Sequence, residues 1–286
     1  MLVENSEFYN NNSNLEGVQS DGVHGRSRPG DSHHNKDIYF VNCQVYDNAG
    51  DGFDIGVKHG VLVFSGCTVI NNGGDQGKAY KVWGKKTWIY NNVAHNNTVG
   101  GVRLLPYWDS EMYILHNTFY NINEYGGEIQ RAYSPEAGTV GNAELFVYNN
   151  ILINSHRFVH IYNTDAHDTY TNLELVNNLF LSEENNPMIY QFRNYNSSIE
   201  HKYESIEVVR PENLQNVKNA EQSDCNFIGN VNFNEIFENI DTSIFTLKKG
   251  NRAIDMGGNV GVSSDIRGVT RPQGLGYDVG AYEYEN

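Results

Sequence analysis

Short runs of alternating apolar and polar residues recur along the chain, each closed by Asn or Cys and followed by a second short run. "TWIYNNVAHNN" at 87–97, "MYILHNTFYNI" at 112–122, "LFVYNNILINS" at 145–155 and "LELVNNLFLSE" at 173–183 share this form. Alternation over so few residues predicts strands with one buried face. Between the two runs, an Asn side chain can bond backbone groups and its counterparts in neighbouring repeats, so a ladder of asparagines is expected at the bend. Residues 37–48, 61–72, 87–98, 111–122, 144–155 and 173–182 all carry the pattern. No long stretch keeps apolar residues at helical spacing.

The bends are evenly spaced. From Cys43 to Cys67, Asn92 and Asn117 the steps are 24, 25 and 25 residues, then 33 to Asn150 and 28 to Asn178. Loops inserted at fixed corners explain the longer steps. A Gly-rich turn and a further short run follow each of the first four bends: "GDGFDI", "GKAYKV", "VGGVRL" and "GGEIQR". Apolar alternation places Phe53, Tyr80, Val102 and Ile129 in one register. The next residues, Asp54, Lys81, Arg103 and Gln130, then form one column with neighbours ~4.8 Å apart. Three short strands per 25-residue repeat predict an all-β chain: a right-handed, single-stranded parallel β-helix in one domain over residues 1–286. Loop excursions are expected near 19–36 and 195–222, and a terminal coil near 252–286. Strand-like residues come almost at once after Met1, so the N-terminal edge is expected to lack its cap. The chain is therefore expected to be a monomer, or an oligomer covered at that edge.

Composition narrows the partners. A net charge of −15 makes nucleic acid a poor partner for the whole chain. Lys78, Lys81, Lys85 and Lys86 nevertheless form a local basic cluster suited to an acidic polymer. There is no apolar run long enough for a membrane span and no signal-peptide pattern in the sequence. Cys43 and Cys67 occupy equivalent positions and are expected to be buried neighbouring thiols; no Cys spacing suggests zinc.

The charged column suits β-elimination from a uronic acid polymer. The proton removed lies alpha to a carboxylate, which a cation must neutralise so that the enolate-like charge is stabilised. A lysine serves as base when a neighbouring cation favours its neutral form. Lys81 beside Arg103 fits, and Asp51 with Asp54 offers hard oxygens for calcium. Asp47, Glu16 and Asp21 are further oxygen donors without an assigned place. Gln130 and Lys78 are expected to bind substrate, and Trp83, Tyr107 and Trp108 to offer faces to sugar rings.

"NAGDGFDI" followed by "NNGGDQGKAYKVWG" resembles the family 9 pectate lyases over about residues 37–84. The resemblance implies a parallel β-helix, calcium held at Asp51 and Asp54, and Lys81 as base. Gly50 stands where the family has a second paired aspartate, and "AYKVWG" where it has "GFKLGG". "KVWGKKTWIYNNVAHNNTVGGVRLLP" is similar to the family 6 alginate and dermatan lyases, in which an arginine acid follows the lysine base one coil later. That relation holds for Lys81 and Arg103. The ending, with Asp265, Gly268, Arg271, Pro272, Asp278, Gly280, Ala281, Tyr282 and Glu283, resembles the last coil of bacterial secreted β-helix proteins. It implies a secreted, periplasmic or cell-surface protein.

Other readings compete. Asp54 paired with Lys81, and Arg103 with Glu128 or another acid, make an ordinary solvated ladder. Asp51 sits in an Asp-Gly pair, which is a turn signal. His24, His33 and His34 read as loop residues. "DAHD" at Asp165–Asp168 resembles the "DPHD" of mannuronan C5-epimerases with Ala for Pro. Asp47, Asp51 and Asp54 keep a glycoside hydrolase open. A non-catalytic carbohydrate-binding or adhesive protein of the same fold is the rival class. The favoured expectation is a pectate-cleaving polysaccharide lyase.

Overall fold

The computed structural model describes residues 1–12, 20–26, 37–73, 77–105, 109–120, 125–130, 143–153, 157–163, 170–183, 188–194, 200–203, 217–223 and 225–285. Nearly all of the regular structure is β, in a 14-stranded sheet and an 8-stranded sheet with a separate two-stranded hairpin. The only helical turns among the described residues are single 3-10 turns at Phe233–Glu235 and Ile240–Thr242.

The strands fall into three rows. One row runs through Leu2–Glu4, Ile38–Val41, the second halves of Phe53–Ser65 and Lys78–Tyr90, and then Ser110–Leu115, Ala143–Tyr148, Tyr170–Val176 and Val217–Ser223. After each of its strands the bend leads to a three-residue strand of the 8-stranded sheet, from Glu7–Tyr9 through to Asn226–Ile228. The third row contains Val23–Arg26, the first halves of Phe53–Ser65 and Lys78–Tyr90, then Gly100–Leu104, Tyr125–Gln130, Arg157–Asn163 and Met188–Asn194. All pairings within the rows are parallel. Glu200–Tyr203 runs antiparallel to Met188–Asn194 at the end of the third row, and the separate hairpin of Phe237–Asn239 and Ile244–Leu247 is also antiparallel.

Alternation explains the core. Phe40, Phe53, Phe64 and Tyr80 point inward, with Phe40 stacked on Phe64 at 5.3 Å and Phe53 on Tyr80 at 5.4 Å between ring centroids. Cys43 and Cys67 are buried, unbridged thiols, as the equivalent positions predict. At the bends, Asn42, Gly66, Asn91, His116, Asn149 and Asn177 take the left-handed backbone that Asn and Gly tolerate best. The residue after each turns inward to build the expected ladder. Asn92 donates to Asn117 Oδ1, Asn117 to Asn150 Oδ1 and Asn150 to Asn178 Oδ1, each at 3.0 Å. A second ladder, Asn48–Asn72–Asn97, stands at the next corner.

Two expected loops contain strands. Val23–Arg26 joins the third row out of the excursion placed at 19–36. Glu200–Tyr203 and Val217–Ser223 lie in the excursion placed at 195–222. Their sequences, VHGR, EHKY and VKNAEQS, lack the apolar alternation by which the other strands are read. The ending also departs from the expected coil. It forms isolated bridges, Gly257–Tyr277 and Ser264–Thr270, and folds along the bends, where Asn91 donates to Ser264 O and Asn149 to Gly258 O. A buried Arg271–Glu283 pair at 2.7 Å fastens it, with Arg271 also donating to the carbonyls of Asp278 and Gly280.

Candidate active site

The third row sets the site. Asp54 pairs with Lys81, and Lys81 with Arg103, at successive strands. Inward neighbours Phe53, Tyr80 and Val102 anchor each strand in the core. The three charged residues therefore share the opposite face. Arg103 is half-buried there. The column continues differently from the sequence expectation. Arg103 pairs with Glu128, and Gln130 lies two residues further on, opposite Tyr162. Val102 stands opposite Gly127 and Leu104 opposite Ile129. A slip of two residues keeps the same face, so alternation cannot detect it. Counting from the bend would have found it. Cys43 to Asp54, Asn92 to Arg103 and Asn117 to Glu128 are all eleven residues.

The column also begins one strand earlier, at His24, which pairs with Asp54. This corrects the loop reading of His24. The missed signal was an internal repeat: "DGVH" at 21–24 stands over "DGFD" at 51–54. Gly52 is required in the second copy, since a Cβ there would meet Val69 at 2.5 Å and the Ala79 carbonyl at 2.7 Å.

Three carboxylates converge beneath the column, and each divides its oxygens. Asp21 Oδ1 accepts from the Asp51 backbone N–H at 2.8 Å, while Oδ2 lies 2.8 Å from His24 Nδ1. Asp51 Oδ1 accepts from the Lys78 N–H at 2.9 Å, leaving Oδ2 at 3.3 Å from Lys81 Nζ. That approach is an ion-pair contact without hydrogen-bond alignment. Lys81 Nζ donates to Asp54 Oδ2 at 3.1 Å, and His24 Nδ1 stands 3.6 Å from the same oxygen. Asp51 and Asp54 are fully buried, and Lys81 is 9% exposed. Burial raises the Asp51 carboxyl above its ordinary value, because a charge removed from water is disfavoured; the neighbouring backbone donor and Lys81 oppose that shift.

Gly50 explains how Asp21 enters. A Cβ at Gly50 would come within 2.5 Å of Asp21 Oδ1. The absence of a side chain at Gly50 thus admits a carboxylate from the preceding strand row. Asp47, by contrast, is exposed at a bend and takes a bond from Asn71, apart from this cluster.

Other expected site residues separate. Lys78 is 1% exposed, so it cannot present its amine to a polymer; its charge lies within the buried cluster. Trp83 is half-buried and lays its indole over Gly56, where a Cβ would meet Nε1 at 1.8 Å. Glu16, His33, His34, Tyr107, Trp108 and Asp165–Asp168 lie outside the described residues.

Chemically, the arrangement offers one amine, one guanidinium on the adjacent strand, an imidazole with its side chain 47% exposed, and three carboxylates that each turn one oxygen toward the cations. No protein-family model and no curated protein matches the chain.

Proposed function

We propose that the chain is a right-handed parallel β-helix that cleaves an acidic, uronate-containing polysaccharide by β-elimination, with pectate as the first substrate to test. The observation that carries this reading is the register Asp54–Lys81–Arg103, which sets the amine and the guanidinium on adjacent strands of one face. Three rows that recur in one order, with parallel pairing between repeats, support the β-helix. The resemblance at "DGFD" and "AYKV" supports the chemistry.

In this reading Arg103 binds the uronate carboxylate and draws off its charge. Lys81 Nζ takes the proton from the ring carbon alpha to that carboxylate, a C=C bond forms to the neighbouring carbon, and the bond from that carbon to the leaving oxygen breaks, the oxygen taking its proton from solvent. The amine must be uncharged at that moment. The oxygen set of Asp21, Asp51 and Asp54 fits calcium by its hardness, and the open place at Gly50 lets the third carboxylate in. When bound, calcium supplies the countercharge to these acids and neutralises a substrate carboxylate. Secretion or display at the cell surface follows from a polymer substrate.

One observation favours a second reading. A lysine that neutralises two fully buried acids has a structural task without any chemistry. A non-catalytic glycan-binding β-helix would keep it. The experiment is ultraviolet absorbance of the unsaturated uronate product on a polyuronate panel, with and without chelator. Absorbance from wild type, lost in Arg103→Ala, supports the lyase. Folded wild-type protein that yields no absorbance on any polymer, while still binding one, establishes the second reading. Reducing ends without absorbance would indicate hydrolysis.

A further inference from the structure

We propose that the cluster Asp21–His24–Asp54 is a mixed nitrogen–oxygen site that takes a first-row divalent transition ion in preference to calcium. The inference rests on the site read above as catalytic and concerns the ion it selects. Three ligand atoms, one from each residue, lie within 4.8 Å of one another. His24 Nδ1 stands 2.8 Å from Asp21 Oδ2 and 3.6 Å from Asp54 Oδ2, both within the span of about 4.4 Å that two metal–ligand bonds of about 2.2 Å reach. In the tautomer protonated at Nε2, Nδ1 offers its lone pair between them.

A second observation points to a cation here. Asp51 Oδ2, on the other side of the Lys81 ammonium from Asp54 Oδ2, is fully buried and has no aligned hydrogen-bond donor, meeting Lys81 Nζ at 3.3 Å. This oxygen thus keeps acceptor capacity that the protein's own hydrogen bonds do not use.

The identity of the ion follows from the donors. Calcium takes hard oxygens and gains little from imidazole, whereas manganese, iron(II), cobalt and nickel bind imidazole with rising affinity, and zinc also takes it. His24 occupies, in the first "DGxx" repeat, the place that Asp54 holds in the second. That exchange of one oxygen donor for a nitrogen shifts the preference. The His24 side chain is 47% exposed, which leaves an approach for the ion from solvent.

The test uses full-length protein stripped with chelator, titrated separately with Co²⁺, Mn²⁺ and Ca²⁺ by calorimetry, with visible spectra recorded for Co²⁺. Wild type should bind Co²⁺ at least about tenfold more tightly than Ca²⁺ and show ligand-field bands of a site containing nitrogen. His24→Ala should lose those bands and about tenfold or more in Co²⁺ affinity, with Ca²⁺ affinity changed far less. His24 is half-exposed at a strand, so retention of the fold is checked by far-UV circular dichroism; Asp54→Asn serves as a second variant and should weaken both ions. Equal Co²⁺ affinity in wild type and His24→Ala, or a Co²⁺ spectrum that is all-oxygen, overturns the proposal. Because no substrate is present, failure here leaves the lyase reading standing if the product absorbance appears. Cobalt bound through His24 in a protein that cleaves nothing upholds this site and removes the lyase.

Discussion

Removing the Lys81 ammonium gives the sharpest test of the cluster. In Lys81→Met, the stem is replaced by a side chain of similar length, while Asp51 and Asp54 remain fully buried and lose the cation at 3.3 and 3.1 Å. Breaking a buried pair by deleting one partner costs about 3–5 kcal/mol, because the remaining charge is uncompensated. Unfolding entropy near 2.1 cal/mol/K per residue gives about 0.6 kcal/mol/K for 286 residues. The midpoint of thermal unfolding should therefore drop by about 5–8 °C. The deficit has a pH signature. Burial already raises the Asp51 carboxyl, and deleting Lys81 removes a charge that holds it down. A group whose folded value is raised adds stability below its unfolded value and loses it as pH rises through the folded one. The gap between variant and wild type should thus narrow in acid. Adding divalent cation should also restore part of the stability, by mass action on the folded state. The assay is calorimetric or fluorescence-monitored melting at several pH values, with chelator or added ion. A variant that melts within 1 °C of wild type at neutral pH in chelator would refute the claim that Lys81 offsets these acids.

Asn117→Ala should destabilise by about 3 kcal/mol in urea unfolding, because it strips donors or acceptors from Asn92 N–H, Asn92 Nδ2, Ile89 O and Asn150 Oδ1 at once; Asn71→Ala, exposed and bonded to Asp47, should cost under about 1 kcal/mol. Stability should also fall as pH drops below about 6.5, since burial and the Arg271 charge hold His116 well below that ordinary value and the unfolded chain takes the proton first. His116→Asn, which supplies the residue that most other bends carry, should flatten that fall measured by melting across pH, although His95, held to about 4 by burial, keeps part of it and Asp278, raised to about 6 by burial, opposes it.

The even spacing of bends and the two-residue alternation were enough to read the parallel rows, the asparagine ladder, the shared register of Phe53, Tyr80 and Val102 and the adjacency of Asp54, Lys81 and Arg103. Each is a consequence of periodicity, and period is what a chain carries openly. The same period of two conceals a slip of two, which is why Glu128 and not Gln130 continues the column. Depth was equally hidden. Lys78 and Lys81 are both polar positions within one strand, yet they meet different surroundings, and neither is a free surface amine. The assembly of Asp21, His24, Asp51 and Asp54 arose only when two "DGxx" turns, thirty residues apart, stacked at one corner and Gly50 left room for a carboxylate between them. Face and period are local properties of a strand; burial, convergence of charges and the room for a third carboxylate depend on what neighbouring repeats bring alongside, and those are fixed only by stacking.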